Sequence, residues 1–182
     1  MNARRLTTLL LLATAVALPS VSSAQLAANQ WYVFEFGAIN TPAFQCNVCG
    51  VVPGAVEAPA ATLWTHASGT AFNFTVQDLF VNNSRFEVFA NATSLGLTSP
   101  AGGGQCGSSI AACIADPNSS GGSFLLAPGS YTFSIQNLGA SSSGAAVFRV
   151  SSASTVVPEP STVALMAAGL AFLGVGYRRR SV

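Results

Sequence analysis

The chain has 182 residues, no lysine, one histidine and only 7% charged residues. Each scarcity removes a class of function. Neutralising phosphates takes clustered Lys or Arg, and five of the seven arginines lie at the two ends, as Arg4, Arg5, Arg178, Arg179 and Arg180. Between the ends only Arg85 and Arg149 face Glu35, Glu57, Asp78, Glu87 and Asp116. The body is therefore mildly acidic, and no nucleic-acid partner is expected. The single histidine, in Trp64-Thr65-His66, has no acid or nucleophile beside it. General-base catalysis needs a positioned constellation, so His66 is expected to be a plain surface or turn residue. Glycoside hydrolysis needs two carboxylates across a cleft. Glu35, Asp78 and Glu87 are the available stock, and no spacing pairs them. Asp78, Asn82 and Glu87 would offer oxygen ligands to calcium, but the Asp-rich ligand spacing of a calcium loop is missing. No cofactor and no metal are expected.

What the chain does have is two distinctive ends. Arg4-Arg5 is followed by the apolar run Leu6 to Leu18 and then by Val21-Ser22-Ser23-Ala24. A basic start, a short apolar stretch and small residues at a cleavage point make a secretory signal peptide over residues 1–24, cut before Gln25. The other end reads Val157-Pro158-Glu159-Pro160, then an uncharged apolar run, then Arg178-Arg179-Arg180. A helix rises about 1.5 Å per residue, so residues 162–177 would cover roughly 24 Å of a hydrocarbon core roughly 30 Å thick. Snorkelling arginines and local thinning make up the difference. The arginines favour the cytoplasmic side as a stop-transfer cluster. The expectation is a single C-terminal transmembrane helix with the body outside. The two prolines have fixed φ and no N–H, which keeps the segment before the span extended and accessible to a processing enzyme.

The order Val157-Pro158-Glu159-Pro160-Ser161, then Ala164-Leu165 and Gly169-Leu170, then the terminal arginines, resembles the PEP-CTERM sorting signal of Gram-negative bacteria. The resemblance covers about the last twenty-five residues. It implies export through the Sec translocon, a transient membrane anchor, and processing near Pro158-Glu159-Pro160 by an exosortase, an integral-membrane cysteine transpeptidase-like enzyme. It also implies a setting in which exopolysaccharide is made. The same tail carries the label of an ice-binding protein C-terminus. That label does not extend to the body, which has no repeated threonine array.

The body, residues 25–150, is one domain's worth of chain, joined to the tail by a polar linker over 151–156. Gln30 to Phe36 is a continuous aromatic and β-branched run, expected to be a strand buried on both faces. Asn40 to Pro59, punctuated by Pro and Gly, is expected to be a loop excursion. Phe72, Phe74 and Val76 alternate with Asn73, Thr75 and Gln77, and Phe86, Val88 and Ala90 with Glu87 and Phe89. Asn82-Asn83-Ser84 between them is a turn signal. Ser123 to Ala127 is a short strand, and Pro128-Gly129 has the residues of a type II turn. Tyr131, Phe133 and Ile135 form another alternating set, and Ala146, Phe148 and Val150 a last one. Short alternating strands without an amphipathic helix argue an all-β antiparallel β-sandwich. Phe86-Glu87-Val88-Phe89, Leu95 to Ser99 and Leu126 to Ile135 also resemble bodies on other PEP-CTERM proteins, which implies a jelly-roll or CUB-like sandwich.

Cys46, Cys49, Cys106 and Cys113 are expected to form two disulfides in an exported chain. Local pairing and crossed pairing between the two loops are both open. A redox Cys-x-x-Cys would want a helix N-terminus in a βαβ setting, and four cysteines also satisfy the ligand count of zinc. Trp31, Tyr32, Trp64 and Tyr131 would make a sugar-stacking platform if exposed, although burial is the default in so Phe-rich a core. Asn73, Asn82, Asn91 and Asn118 each begin an Asn-x-Ser/Thr triplet, taken as marks of exposed loops. The function expected is an exported, non-enzymatic protein of the cell surface or extracellular matrix, sorted by its tail and associated with exopolysaccharide. The alternatives are a secreted carbohydrate-binding module and a secreted hydrolase.

Overall fold

The computed structural model describes residues 23–47, 49–140 and 143–153. The expected signal peptide up to Ser22, the linker beyond Ala153, Val157-Pro158-Glu159-Pro160, the expected transmembrane helix and Arg178 to Arg180 lie outside the described residues. The strands in chain order are β1 (Ser23–Gln25), β2 (Trp31–Phe36), β3 (Phe44–Gln45), β4 (Ala55–Glu57), β5 (Leu63–Ser68), β6 (Phe72–Asp78), β7 (Phe80–Val81), β8 (Phe86–Ala90), β9 (Thr93–Leu97), β10 (Gln105–Gly107), β11 (Gly121–Leu126), β12 (Gly129–Asn137) and β13 (Gly144–Ser152). One short helix, α1 (Ile110–Ala115), lies between β10 and β11.

Two sheets carry the fold. The first runs β1-β5-β12-β8-β9 and the second β11-β6-β13-β2-β3, with β4 also on β2. All pairings are antiparallel except β1 with β5 and β4 with β2. The alternation read along the chain decides which side chains meet. Phe34, Phe36, Phe72, Phe74, Val76 and Phe148 of the second sheet pack on Trp64, Phe86, Val88, Phe133 and Ile135 of the first, forming one buried cluster. Phe74 stacks on Phe133 with ring centroids 4.1 Å apart, and Trp64 lies 4.7 Å from Phe148. The expected antiparallel β-sandwich is therefore present. Truncating one of these rings to Ala would cost roughly 3–5 kcal/mol.

Three local expectations are corrected, and one strand was not anticipated. The Asn40 to Pro59 excursion contains β3 and β4, whose backbones complete the β2 edge. Leu63–Ser68, with no strand expected over it, is an interior strand of the first sheet, between β1 and β12. Its apolar positions are few, but Trp64 faces the core and is fully buried. Gly129 has no positive φ and starts β12, so Pro128-Gly129 is a bend into a strand and not a type II turn. Helix α1 is capped by Ser109, whose Oγ accepts from the Ala112 N–H at 3.3 Å. It is too short to show a helical period.

The two-residue connection of β8 and β9, Asn91-Ala92, has φ of 50° and 62°. Left-handed pairs of this kind match the right-handed twist of a hairpin.

Candidate functional site

The inner faces of the two sheets are sealed against each other, so chemistry must come from the outer faces, the sheet ends or the loops. The outer face of the second sheet has two unlike halves. Register places Val33, Val147, Gln77 and Gly121 in one row across β2, β13, β6 and β11, with Glu35 and Ala145 beyond it. This half is covered. Val33, Val147, Ala145 and Leu79 join Cys46, Val52, Ile110 and Cys113 in a second buried cluster. β2 is thus packed on both faces, by the sandwich core on one side and the disulfide loops over Val33 on the other, while Trp31 and Glu35 on the outer side stay half-buried.

Cys46 pairs with Cys49 and Cys106 with Cys113, which settles the pairing as local. Gln77, on the polar side of an alternating strand, is buried beneath these loops. Its Nε2 donates to Ser119 Oγ at 2.7 Å, Cys113 O at 3.2 Å and Ser120 O at 3.3 Å. Ser119 Oγ in turn donates to Asp78 O at 3.1 Å. A row of loop serines thereby satisfies the polar edge of β6, and period-2 reasoning has no means of finding it.

A cavity of about 400 Å³ opens beside the cover, lined by Glu35, Cys49, Leu79, Phe80, Val81 and Ala145 among others. It is mostly apolar. Glu35 Oε2 accepts from the Asn47 N–H at 3.3 Å. Glu35, Cys46 and Cys49 are the one group of three metal-binding side chains among the described residues, with ligand atoms within 4.8 Å of one another. Both sulfurs belong to a disulfide, so neither is the thiolate a metal requires.

The three carboxylates weighed for hydrolysis do not converge. Glu35 is on the outer face of the second sheet, and Glu87 is on the outer face of the first, accepting from Ser94 Oγ at 2.6 Å. Asp78 follows Phe72, Phe74 and Val76 on the inner side and is fully buried. Its oxygens accept from the Leu79 N–H at 3.0 Å and the Ser84 N–H at 3.1 Å. Burial pushes its pKa up to about 7, against these two backbone bonds, which lower it. Asn82 donates from Nδ2 to Asp116 Oδ2 at 2.7 Å. The suggested calcium set is therefore not assembled, since Glu87 belongs to the other sheet and Asp78 is bound to backbone.

His66 is not a surface or turn residue. It is a buried strand residue, with Nδ1 3.2 Å from Leu26 O and its ring 5.1 Å from Phe72. Trp64 and Tyr32 are buried, and Tyr131 is half-buried against Phe133. The four aromatics form no platform, and only Trp31 stands on an outer face. Of the Asn-x-Ser/Thr positions, Asn91 and Asn118 are exposed, Asn73 is in β6, and Asn82 is fully buried.

The other half of the outer face is partly exposed among the described residues, with Trp31 at its margin packed against the second cluster. Trp31, Arg149, Thr75 and Ser123 form one row, and Ser151, Asn73 and Leu125 the next. The Arg149 guanidinium lies 4.4 Å from the centre of the Trp31 ring.

These features define a class: a β-sandwich braced by two short-range disulfides, a build suited to oxidising compartments. Residues 156–180 match the PEP-CTERM protein-sorting motif. The chain thus carries a PEP-CTERM sorting signal, which implies export, a membrane-anchored precursor in a Gram-negative bacterium, and processing by an exosortase. Among solved structures, the chain is similar to the pre-peptidase C-terminal domain of collagenase from Bacillus anthracis, with 10% identity, a TM-score of 0.34, and coverage of 71% of this chain and 94% of that one. No curated protein matches the chain. Among the described residues no helix is long and apolar enough to cross a membrane.

Proposed function

We propose that the protein is a non-enzymatic component of the cell surface or extracellular matrix, delivered by its tail and associated with exopolysaccharide. The sorting motif over residues 156–180 carries this reading. In it, residues 1–24 are removed as a signal peptide, and the apolar stretch 162–177 halts in the membrane with Arg178, Arg179 and Arg180 inside. An exosortase then acts near Val157, Pro158, Glu159 and Pro160. The body released is a sandwich of the jelly-roll or CUB-like kind, whose role is structural or adhesive. Carboxylates kept apart, Glu35 and Glu87 on opposite outer faces and Asp78 in the interior, favour this over hydrolysis, which needs two across one cleft.

Intact-mass measurement tests the delivery step. Protein from wild-type cells is expected to lack the residues beyond about Pro160, and protein from cells without exosortase to keep them. A tail retained in both strains contradicts the reading.

A further inference from the structure

We infer that the partly exposed half of the outer face of the second sheet is a binding site for an acidic polysaccharide, organised by Arg149 and the Trp31 ring beside it. The inference rests on the matrix reading above and names the site and the ligand class within it.

Four strands present the site, in the row Trp31, Arg149, Thr75 and Ser123. Adjacent strands are about 4.8 Å apart, so the row runs roughly 14 Å. The covered half ends beside it, with Val52 and Ile110 in the cluster above Val33 and Val147. This half is therefore a partly exposed strip of sheet beside the covering loops, with no enclosed cavity described at its residues, which suits an extended polymer rather than an enclosed small molecule.

The chemistry of the shelf is uneven in an informative way. Arg149 is one of the body's two cations. The other, Arg85, donates from Nε to Thr98 O at 3.0 Å and so holds loop backbone. Arg149 holds none. Among the described residues its only partner is the Trp31 ring, and its Nε is shielded from solvent without an acceptor. A guanidinium held over an indole keeps its planar fork and loses little freedom when it meets a carboxylate. Its terminal N–H groups are matched to a bidentate carboxylate. Thr75 Oγ1 and Ser123 Oγ lie 3.0 Å apart and offer donors and acceptors to hydroxyls, as do Asn73 and Ser151 in the next row. The carboxylate nearest in register on this face is Glu57, two strands from Arg149 on β4. A cation with no carboxylate in its row, an aromatic and hydroxyls select a polymer of uronic-acid type over a neutral one by local charge complementarity.

The test uses the protein as its cells export it, electrophoresed through native gels containing alginate, carboxyl-reduced alginate or dextran. Retardation by alginate alone is expected, weakening with salt. Arg149→Gln should reduce the apparent affinity about tenfold or more, the loss of a charge-assisted pair. Arg85→Gln, which changes net charge equally, should leave it unaltered. Equal urea midpoints for the two variants show that folding is not the cause, and Trp31→Phe, which keeps a ring, should retain most of the binding. Equal retardation of the Arg149→Gln and Arg85→Gln variants, or equal binding to the carboxyl-reduced polymer, would overturn the site. Co-fractionation with the cells' own matrix is scored separately. Wild-type protein that co-fractionates with the matrix while Arg149→Gln leaves alginate binding unchanged removes the site and keeps the matrix role. Alginate binding that depends on Arg149, without co-fractionation, does the reverse.

Discussion

Asp78 is the residue whose environment departs most from its ordinary chemistry. Its side chain follows three apolar positions into the interior, where no cation meets it among the described residues. Its pKa is raised from 3.8 to about 7. The unfolded chain releases this proton near pH 4 and the folded one near pH 7, so between those values the folded state binds more protons. Stability then falls as pH rises through that window and levels off above it. Urea midpoints are expected to be higher at pH 5 than at pH 8, and Asp78→Asn should flatten the difference. A wild-type midpoint that rises over this range would contradict the assignment. Alternation along Phe72 to Gln77 was legible in the sequence. That Asp78 continues inward, and that Gln77 is buried on the opposite side, was not, because both depend on what the later loops lay over β6.

At the scale of elements, the disulfide loops are what turn a two-layer sandwich into one with a third, partial layer. Cys113 is fully buried in the second cluster, and Cys106 packs against it. The bridge closes a loop with a sequence separation of 7 and holds α1 onto β6. Chain-entropy arguments put a bridge of this length at roughly 2–3 kcal/mol. Replacing both Cys106 and Cys113 by Ser is expected to lower unfolding free energy by at least that amount, measured by urea titration, because polar groups also enter an apolar cluster. A loss well under 1 kcal/mol would mean that the cover contributes little. The cysteine spacing announced bridges, but their pairing needed the loops' positions. Leu63–Ser68 escaped the pattern for a related reason: with His66 and Trp64 inward and threonine and alanine outward, the contrast that marks a half-buried strand is weak.

For the whole molecule, the open question is where the exported body begins. Ser23 and Ala24 pair with Leu63 and Trp64 in β1, the two residues before the expected signal-peptidase cut. Leu26 is buried, and its N–H donates to Thr65 O at 2.8 Å. Cleavage after Ala24 would remove these two pairs of β1 but leave Gln25 opposite Thr65 and the buried Leu26 in place. N-terminal sequencing of exported protein is therefore expected to start at Gln25, with the sandwich folded; a start within the apolar run 6–18 would contradict it. The sorting motif was legible in the sequence alone. It is a short contiguous string recognised by local order, so no folding is needed to see it. The all-β class was legible as well, because alternation is local. The tertiary structure decided which outer face is covered, why three carboxylates stay apart, and how Trp31 of β2 comes to lie beside Arg149 of β13. Those juxtapositions join residues more than a hundred positions apart, and only strand pairing brings them together.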